Sequence, residues 1–305
     1  MIEVVELNKF LLCLMILTVC AGCSNQKDDI DNVSLKNPSE QSAYENENNE
    51  NKENVENKES EVELKEDVSK EILISEDTST LSNKTIGWYF MKGKDHAQPT
   101  FGKDLTVPAD KYDAIYLKSA DEKKIYLTFD EGYENGYTGQ ILDTLKEKNV
   151  KAVFFITGPY LEKEKELVKR MVDEGHEVGN HTVNHPSMPS CSDEELEKEV
   201  LDLDRKFYEE YGKSMKYLRP PMGEFSERTL SITKSLGYTN VFWSFAYRDW
   251  ETDKQRGKDY AYNNVINALH PGEVMLLHAV SKDNADALSD IIDTARSMGY
   301  EFGEL

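Results

Sequence analysis

Two histidines and a pair of adjacent acids have the spacing found in metal sites and in acid–base sites. His181 and His185 are four residues apart, so on one helical turn both imidazoles would share a face and could reach a single metal ion. Asp130 and Glu131 end an apolar run. Adjacent side chains on a strand point in different directions, so one acid can face a metal while the other faces a substrate. Each pattern alone is also compatible with a coincidence on a helix surface or with a solvated turn.

From residue 123 onward the chain alternates short apolar strands with amphipathic helices. Strands are predicted at 123–129, 152–157, 176–181, 217–219, 240–245 and 273–278. Helices are predicted at 137–148, 161–174, 227–236, 258–269 and 284–298, with a further long helix that begins at Ser192 and has Glu195 in a capping box. Repeated strand–helix units predict an α/β fold with a parallel sheet and outer helices, either an open doubly wound sheet or a barrel.

Polar residues follow the predicted strands at corresponding places. They are Asp130, His181, Arg219, Asp249 and His278. The loops after parallel strands converge at the carboxyl edge of a barrel, where active sites collect. Five such residues on successive units are hard to explain by solubility alone, and we expect them to lie close together in a catalytic site.

The composition separates a folded part from a spacer and excludes one class of partner. The 305-residue chain has a net charge of −22, which argues against the basic patch that a nucleic-acid-binding protein needs. Residues 24–83 hold 17 acidic residues and 6 lysines, without a Trp or Phe. This segment cannot bury enough apolar surface to offset its chain entropy, which predicts a disordered acidic tether. Residues 84–305 form the predicted catalytic domain.

The N-terminus is typical of an exported protein. Lys9 precedes an apolar run of ten residues, and Ala21-Gly22 precede Cys23. The run is too short for a stable bilayer span. It resembles a bacterial lipoprotein signal peptide (1–23), in which Cys23 is lipidated and anchors the protein to the membrane. A secreted soluble protein and a retained membrane anchor are the alternatives, and all three place the domain outside the cytoplasm. Cys191, the other cysteine to survive processing, has no partner for a disulfide.

Five motifs in order resemble the polysaccharide deacetylases of carbohydrate esterase family 4, the NodB homology domain. They are Thr128-Phe129-Asp130-Glu131-Gly132, His181-Thr182-Val183-Asn184-His185, Arg219-Pro220-Pro221-Met222-Gly223, Asp249-Trp250, and Leu276-Leu277-His278. Ala246 stands where many members carry another Asp, and Glu131 stands where most carry an Asp that binds the metal. Longer stretches around these motifs are similar to the delta-lactam-forming muramic acid deacetylases of spore-forming bacteria.

The resemblance implies a distorted parallel (β/α) barrel and a role for each motif residue. A divalent metal, expected to be Zn²⁺, would be held by His181, His185 and Glu131, although Glu131 is one methylene longer than Asp and leaves its own role open. Asp130 would be the general base and His278 the general acid. The resemblance further implies that Arg219 orients Asp130 or closes the groove wall, and that Asp249 orients His278. The expected substrate contacts are the Met222 backbone N–H, Trp250 at the acetyl pocket, and Pro220.

The function that this implies is metal-dependent deacetylation of N-acetylmuramic acid in peptidoglycan. Its partners would be glycan strands already stripped of their stem peptides, which places the protein after an amidase. The freed amine could then close onto the lactyl carboxylate as a muramic delta-lactam, which the resemblance connects with the spore cortex and the forespore. Two alternatives stay open: a deacetylase of N-acetylglucosamine in peptidoglycan or chitin-type polymers, and an inactive module that only binds the wall.

Overall fold

The computed structural model of the protein describes residues 78–305. The predicted signal peptide with Cys23, and the predicted tether as far as residue 77, lie outside the described residues. Within 78–305, no helix combines the length and the apolar character needed to cross a bilayer.

Residues 78–83, which the composition assigns to the tether, contact the folded domain. Thr78–Thr80 form a short 3-10 helix. The carbonyl of Ser82 accepts a hydrogen bond from the backbone N–H of Arg228 at 3.1 Å, and the Asn83 side-chain amide donates to the carbonyl of Pro189 at 2.9 Å. Ordered packing therefore begins before the predicted boundary at residue 84.

Within residues 78–305, nine strands build two sheets. They are β1 (Ile86–Gly87), β2 (Lys124–Glu131), β3 (Val153–Ile156), β4 (Glu177–Asn180), β5 (Tyr217–Leu218), β6 (Glu224–Phe225), β7 (Thr239–Asn240), β8 (Glu273–His278) and β9 (Glu301–Gly303). Strands β1 and β6 form a small antiparallel pair. The other seven form the main sheet in the order β7-β5-β4-β3-β2-β8, with β9 on β2, and every pair in it is parallel.

The main sheet curves into a distorted barrel, as the family resemblance implies. The predicted strand 240–245 is shorter than expected, because β7 ends at Asn240. The chain beyond it crosses to the other edge strand, where Phe245 makes one parallel bridge to Met275 of β8. Isolated bridges in place of a full ladder join the two ends of the sheet, because Ile115 also pairs with Val241 and Leu117 with Glu273.

The helices pack around the outside of this sheet. They are α1 (Lys103–Lys111), α2 (Thr138–Glu147), α3 (Gly158–Lys163), α4 (Lys165–Asp173), α5 (Asp193–Tyr211), α6 (Glu227–Ser235), α7 (Lys258–Ile266) and α8 (Lys282–Ser297). The predicted single helix 161–174 is wrong in one respect, because Glu164 at φ −109° and ψ 40° separates α3 from α4. The predicted capping box at Ser192 and Glu195 is present at the start of α5.

Strand β2 sends alternate side chains to opposite faces, and this alternation decides where its two acids lie. Leu127 and Phe129 pack in the core that includes Ile141 of α2, on the helix side of the sheet. Thr128 and Asp130 point to the other face, into the barrel, where both are bonded to Arg219. Glu131 follows the helix-side register of Phe129.

Candidate active site

A cavity of about 1000 Å³ opens at the carboxyl ends of the parallel strands. Its lining combines the sequence-predicted acid and imidazoles with aromatic and aliphatic side chains: Asp130, His181, His185, His278, Met222, Trp250, Tyr133, Trp243, Tyr247 and Arg248 among others. Asp130 of β2 and His278 of β8 are directly paired residues in the ladder between these two strands. The sheet register therefore sets the two groups side by side.

Arg219 holds Asp130 in place from inside the barrel. The guanidinium is fully buried and donates to Asp130 Oδ1 at 2.7 Å, to Thr128 Oγ1 at 2.8 Å and to the Val241 carbonyl at 3.1 Å. Burial raises the pKa of Asp130, but the charge of Arg219, with the imidazoles of His181 and His278, outweighs it and sets the pKa below its ordinary value. Asp130 is therefore a carboxylate at neutral pH.

His181 presents one nitrogen to this carboxylate. Its Nδ1 lies 2.8 Å from the Arg219 carbonyl, so Nδ1 carries the proton in the neutral ring and Nε2 has a free lone pair. Burial lowers the pKa of His181 to about 4, which makes the ring neutral. Nε2 lies 3.5 Å from Asp130 Oδ2. Both His181 Nε2 and Asp130 Oδ2 carry lone pairs, so a cation bound between them would be stabilised.

His185 lies beside His181, although not through the helical turn that their spacing predicts. The two ring centroids are 4.7 Å apart, but the segment after β4 is not helical, and Thr182 and His185 have positive φ values of 64° and 57°. Side chains stabilise this turn: Thr182 N–H donates to Asn180 Oδ1 at 2.9 Å, and His185 N–H donates to Thr182 Oγ1 at 3.0 Å. Burial lowers the pKa of His185 as well.

Glu131 does not join the two histidines, contrary to the expectation that it completes a metal site. It is fully buried on the helix side of β2, with Oε1 3.4 Å from the Thr138 hydroxyl of α2. Burial, followed by the negative charge of Glu134, raises its pKa well above the ordinary value. The neutral acid is thus favoured where a ligand would have to be a carboxylate.

The residues present fit a divalent metal through two imidazoles. Within 78–305, no group of three or more His, Cys, Asp or Glu side chains is arranged to hold a metal ion. His181 nevertheless has the arrangement of a ligand, since its Nδ1 is bonded to a backbone carbonyl and its Nε2 faces the cavity. His185, which lines the same cavity, would supply the second donor.

His278, next to Asp130 in the sheet, is paired with Asp249. Its Nδ1 lies 2.7 Å from Asp249 Oδ1, and its backbone N–H donates to Oδ2 at 2.8 Å. Asn284, which the sequence did not reveal, donates to the same Oδ2 at 2.6 Å. Burial lowers the pKa of His278, but Asp249 outweighs burial and raises it above its ordinary value. With Nδ1 bonded, Nε2 is the nitrogen that can exchange a proton.

Two of the three predicted substrate contacts line the cavity. Met222 lies at its rim in a left-handed conformation (φ 58°), and the next residue, Gly223, is also left-handed, with a Cβ there falling 2.7 Å from the Trp243 ring. Trp250 is 48% exposed and 5.4 Å from the His278 ring. Pro220 is buried, and its carbonyl accepts from Gly223 N–H. It shapes the turn and does not line the cavity.

Several residues at or near the cavity are not predicted from the sequence. Tyr133 and Arg248 adjoin recognised motifs, but no pattern distinguishes them from solvent-exposed loop residues before the loops are folded. Asn284 lies in the first turn of α8, six residues beyond His278, and only the return of this helix against the cavity shows its contact with Asp249.

Comparison with known proteins gives a consistent result. A family model described as polysaccharide deacetylase matches residues 117–241. The chain is 47% identical over 221 residues to the peptidoglycan-N-acetylmuramic acid deacetylase PdaA of Bacillus subtilis, covering 72% of this chain and 84% of that protein. It is 36% identical over 187 residues to a peptidoglycan-N-acetylglucosamine deacetylase of Bacillus cereus, covering 60% of this chain and 86% of that one.

The similarity extends to three dimensions. The solved structure of Bacillus subtilis PdaA, described as a family 4 carbohydrate esterase, matches with a TM-score of 0.72 at 46% identity, over 73% of this chain and 96% of that one. The match therefore covers nearly all of that structure and not only the motifs around the cavity.

Proposed function

The chain belongs to the polysaccharide deacetylase family, and we propose that it hydrolyses the acetamide of N-acetylmuramic acid in peptidoglycan. The family assignment made from the five motifs is confirmed. The observation that carries the proposal is a pair of neighbouring groups in the cavity: a carboxylate bonded to the Arg219 guanidinium, and beside it an imidazole bonded through Nδ1 to Asp249. A module that only binds glycan would need neither.

The two groups match the two proton transfers of amide hydrolysis. Asp130 takes a proton from the attacking water as its oxygen bonds to the acetyl carbon, and His278 gives a proton to the sugar nitrogen as the C–N bond breaks. Each transfer contributes roughly 10²–10⁴-fold to the rate. The products are acetate and a free C2 amine.

We propose that this activity depends on a divalent metal, with Zn²⁺ as the ion that neutral imidazoles suit. His181 and His185 would hold it, and when bound it would polarise the acetamide carbonyl. Their lowered pKa values keep both nitrogens available as donors at neutral pH.

The product leads to a lactam when the stem peptide is already absent. The freed C2 amine then lies beside the C3 lactyl carboxylate, and the two can condense to a six-membered muramic delta-lactam with loss of water, aided by the high effective molarity of groups on one ring. An amidase acting earlier and a place in the spore cortex are parts of the same proposal.

Mass analysis of treated glycans tests the activity. Peptide-stripped glycan incubated with the protein should lose acetyl from N-acetylmuramic acid and then lose water, while D130N protein should leave it unchanged. Loss of acetyl from N-acetylglucosamine alone would overturn the proposal and favour the second candidate, which the similarity to the Bacillus cereus enzyme supports.

We further propose that the protein is a lipoprotein held at the outer face of the membrane through Cys23, with the acidic segment as a spacer. Replacing Cys23 by Ser should move the protein from the membrane fraction to the soluble fraction without changing its activity on soluble glycan. Unchanged membrane association would favour an uncleaved N-terminal anchor, and release of the unaltered protein would favour secretion.

A further inference from the structure

Arg248 is a cation in the cavity wall without a close acidic partner. Of the side chains that line the cavity in the described part of the chain, Arg248 alone carries a fixed positive charge. It is 68% exposed, and its guanidinium lies 3.9 Å from Glu251, which is too far for a good hydrogen bond. Glu251 is engaged by Lys254 at 2.7 Å instead.

The other arginine near the site is not available to a ligand. Arg219 is fully buried and uses its three nitrogens on Asp130, Thr128 and the Val241 carbonyl. Of these two arginines, Arg248 is therefore the one that can pair with an anionic group of a bound ligand.

The position of Arg248 relates it to a particular part of the substrate. It immediately precedes Asp249, which orients His278. Trp250, two residues on, lines the same cavity with its ring 5.4 Å from the His278 ring, so this segment forms the cavity wall near His278. Ala246 on that wall contributes only a methyl group and leaves room. If His278 protonates the C2 nitrogen, the substituent on the neighbouring C3 atom must lie close to His278 and to this wall.

We propose that Arg248 binds the lactyl carboxylate on C3 of peptide-stripped muramic acid. This inference rests on the proposed deacetylation and specifies its substrate. An Arg guanidinium can grip a carboxylate through two parallel N–H···O bonds. While the stem peptide is attached, the lactyl group is an uncharged amide that offers no such partner. Arg248 therefore selects the free acid, and the reaction that supplies the substrate must hydrolyse the amide between muramic acid and its peptide.

The test compares one glycan in two charge states. The full-length protein and its R248Q variant are assayed on peptide-stripped glycan, on the same glycan with its lactyl carboxylates converted to methyl amides, and on N-acetylglucosamine oligomers. R248Q should lower kcat/KM on the free acid about 10- to 100-fold, mainly through KM, the range expected for a hydrogen-bonded charge pair. R248K should recover part of the lost kcat/KM, because lysine restores the positive charge but not the two parallel N–H donors of arginine.

K258Q is the matched control, because it removes one positive charge from a lysine that pairs with Asp290 on α8 outside the cavity. It should leave the preference for the free acid intact. The outcomes separate the two proposals. A wild-type protein inactive on every muramic acid glycan overturns the proposed function. An active wild type whose R248Q variant loses nothing, or loses equally on charged and uncharged glycans, overturns the role of Arg248 alone.

Discussion

Asp130 and His278 are held in opposite protonation states by partners that are themselves buried. Arg219 stabilises the negative form of Asp130, and Asp249 stabilises the positive form of His278. In each case the neighbouring charges shift the pKa further than burial shifts it in the opposite direction. Neighbouring titratable groups whose surroundings drive their pKa values apart are a mark of acid–base assignment.

The contrast between Glu131 and the two histidines predicts how metal binding responds to mutation. H181A and H185A should each lose bound Zn²⁺ and nearly all activity, because each removes one of two imidazole donors. E131Q should retain most of both, since Gln matches the neutral acid that burial already favours. Elemental analysis of the purified variants measures the metal directly. Metal loss in E131Q as complete as in H181A would show that Glu131 is a ligand.

The rate–pH profile should depend on Asp249. Activity needs Asp130 without its proton and His278 with it, so kcat/KM should rise through the lowered pKa of Asp130 and fall through the raised pKa of His278. In D249N the raising charge is gone and burial prevails, so the alkaline limb should move to lower pH while the acid limb stays. The measurement is kcat/KM against pH with chemistry rate-limiting. An unmoved alkaline limb would contradict the pairing.

At the scale of the elements, the sequence predicted strands better than loops. Strands β2 and β8 are continuous apolar runs, and their ends place Asp130 and His278 correctly. Spacing alone predicts a helical turn at the two histidines, but the turn is not helical. Asn180 accepts from Thr182 N–H and Thr182 accepts from His185 N–H, and these bonds stabilise the left-handed conformations of Thr182 and His185. Such local competition depends on side-chain geometry that periodicity does not contain. Arg248 was missed for a similar reason.

Helix α5 supports the histidine turn through Glu199, which suggests a variant that weakens the site from outside. The Glu199 carboxylate accepts from Asn184 N–H and from the Asn184 amide, both at 2.7 Å. E199A should weaken Zn²⁺ binding about 10- to 100-fold, as is usual for supporting residues, and a chelator competition measures this. E197A on the same helix is the control. Equal affinity in both variants would mean that the turn keeps its shape unaided.

Considered as a whole, the domain has ionisable groups buried at both ends of its barrel. The cavity lies at the carboxyl ends of the strands, while Glu273 begins β8 at the amino end. Glu273 is fully buried and accepts from His270 N–H at 3.0 Å, but its Oε1 has no partner within 78–305. Burial raises its pKa well above the ordinary value. No catalytic role is predicted at this end of the barrel, so burial of the Glu273 carboxyl should affect the stability of the fold.

The free energy of unfolding should therefore decline with pH because of Glu273. Its folded-state pKa lies above the unfolded value, so its stabilisation is complete below the unfolded pKa and is lost as pH rises through the folded one. The slope is at most about 1.4 kcal/mol per pH unit. E273Q cannot ionise and should lack this slope, whereas E301Q at an exposed position should keep it. Urea unfolding between pH 4.5 and 8 compares them, and parallel curves for E273Q and wild type would refute the effect.

Because of Arg219, catalysis should require a fully formed main sheet. One side chain, carried at the end of β5, touches two residues of β2 and the backbone just past β7, so three segments that are distant along the chain must dock before Asp130 has its counter-ion. Without β5 beside β2, Asp130 lacks its counter-ion, and without the backbone past β7 the guanidinium loses one of its three acceptors. During refolding, recovery of turnover should coincide with the slowest structural phase and never precede it.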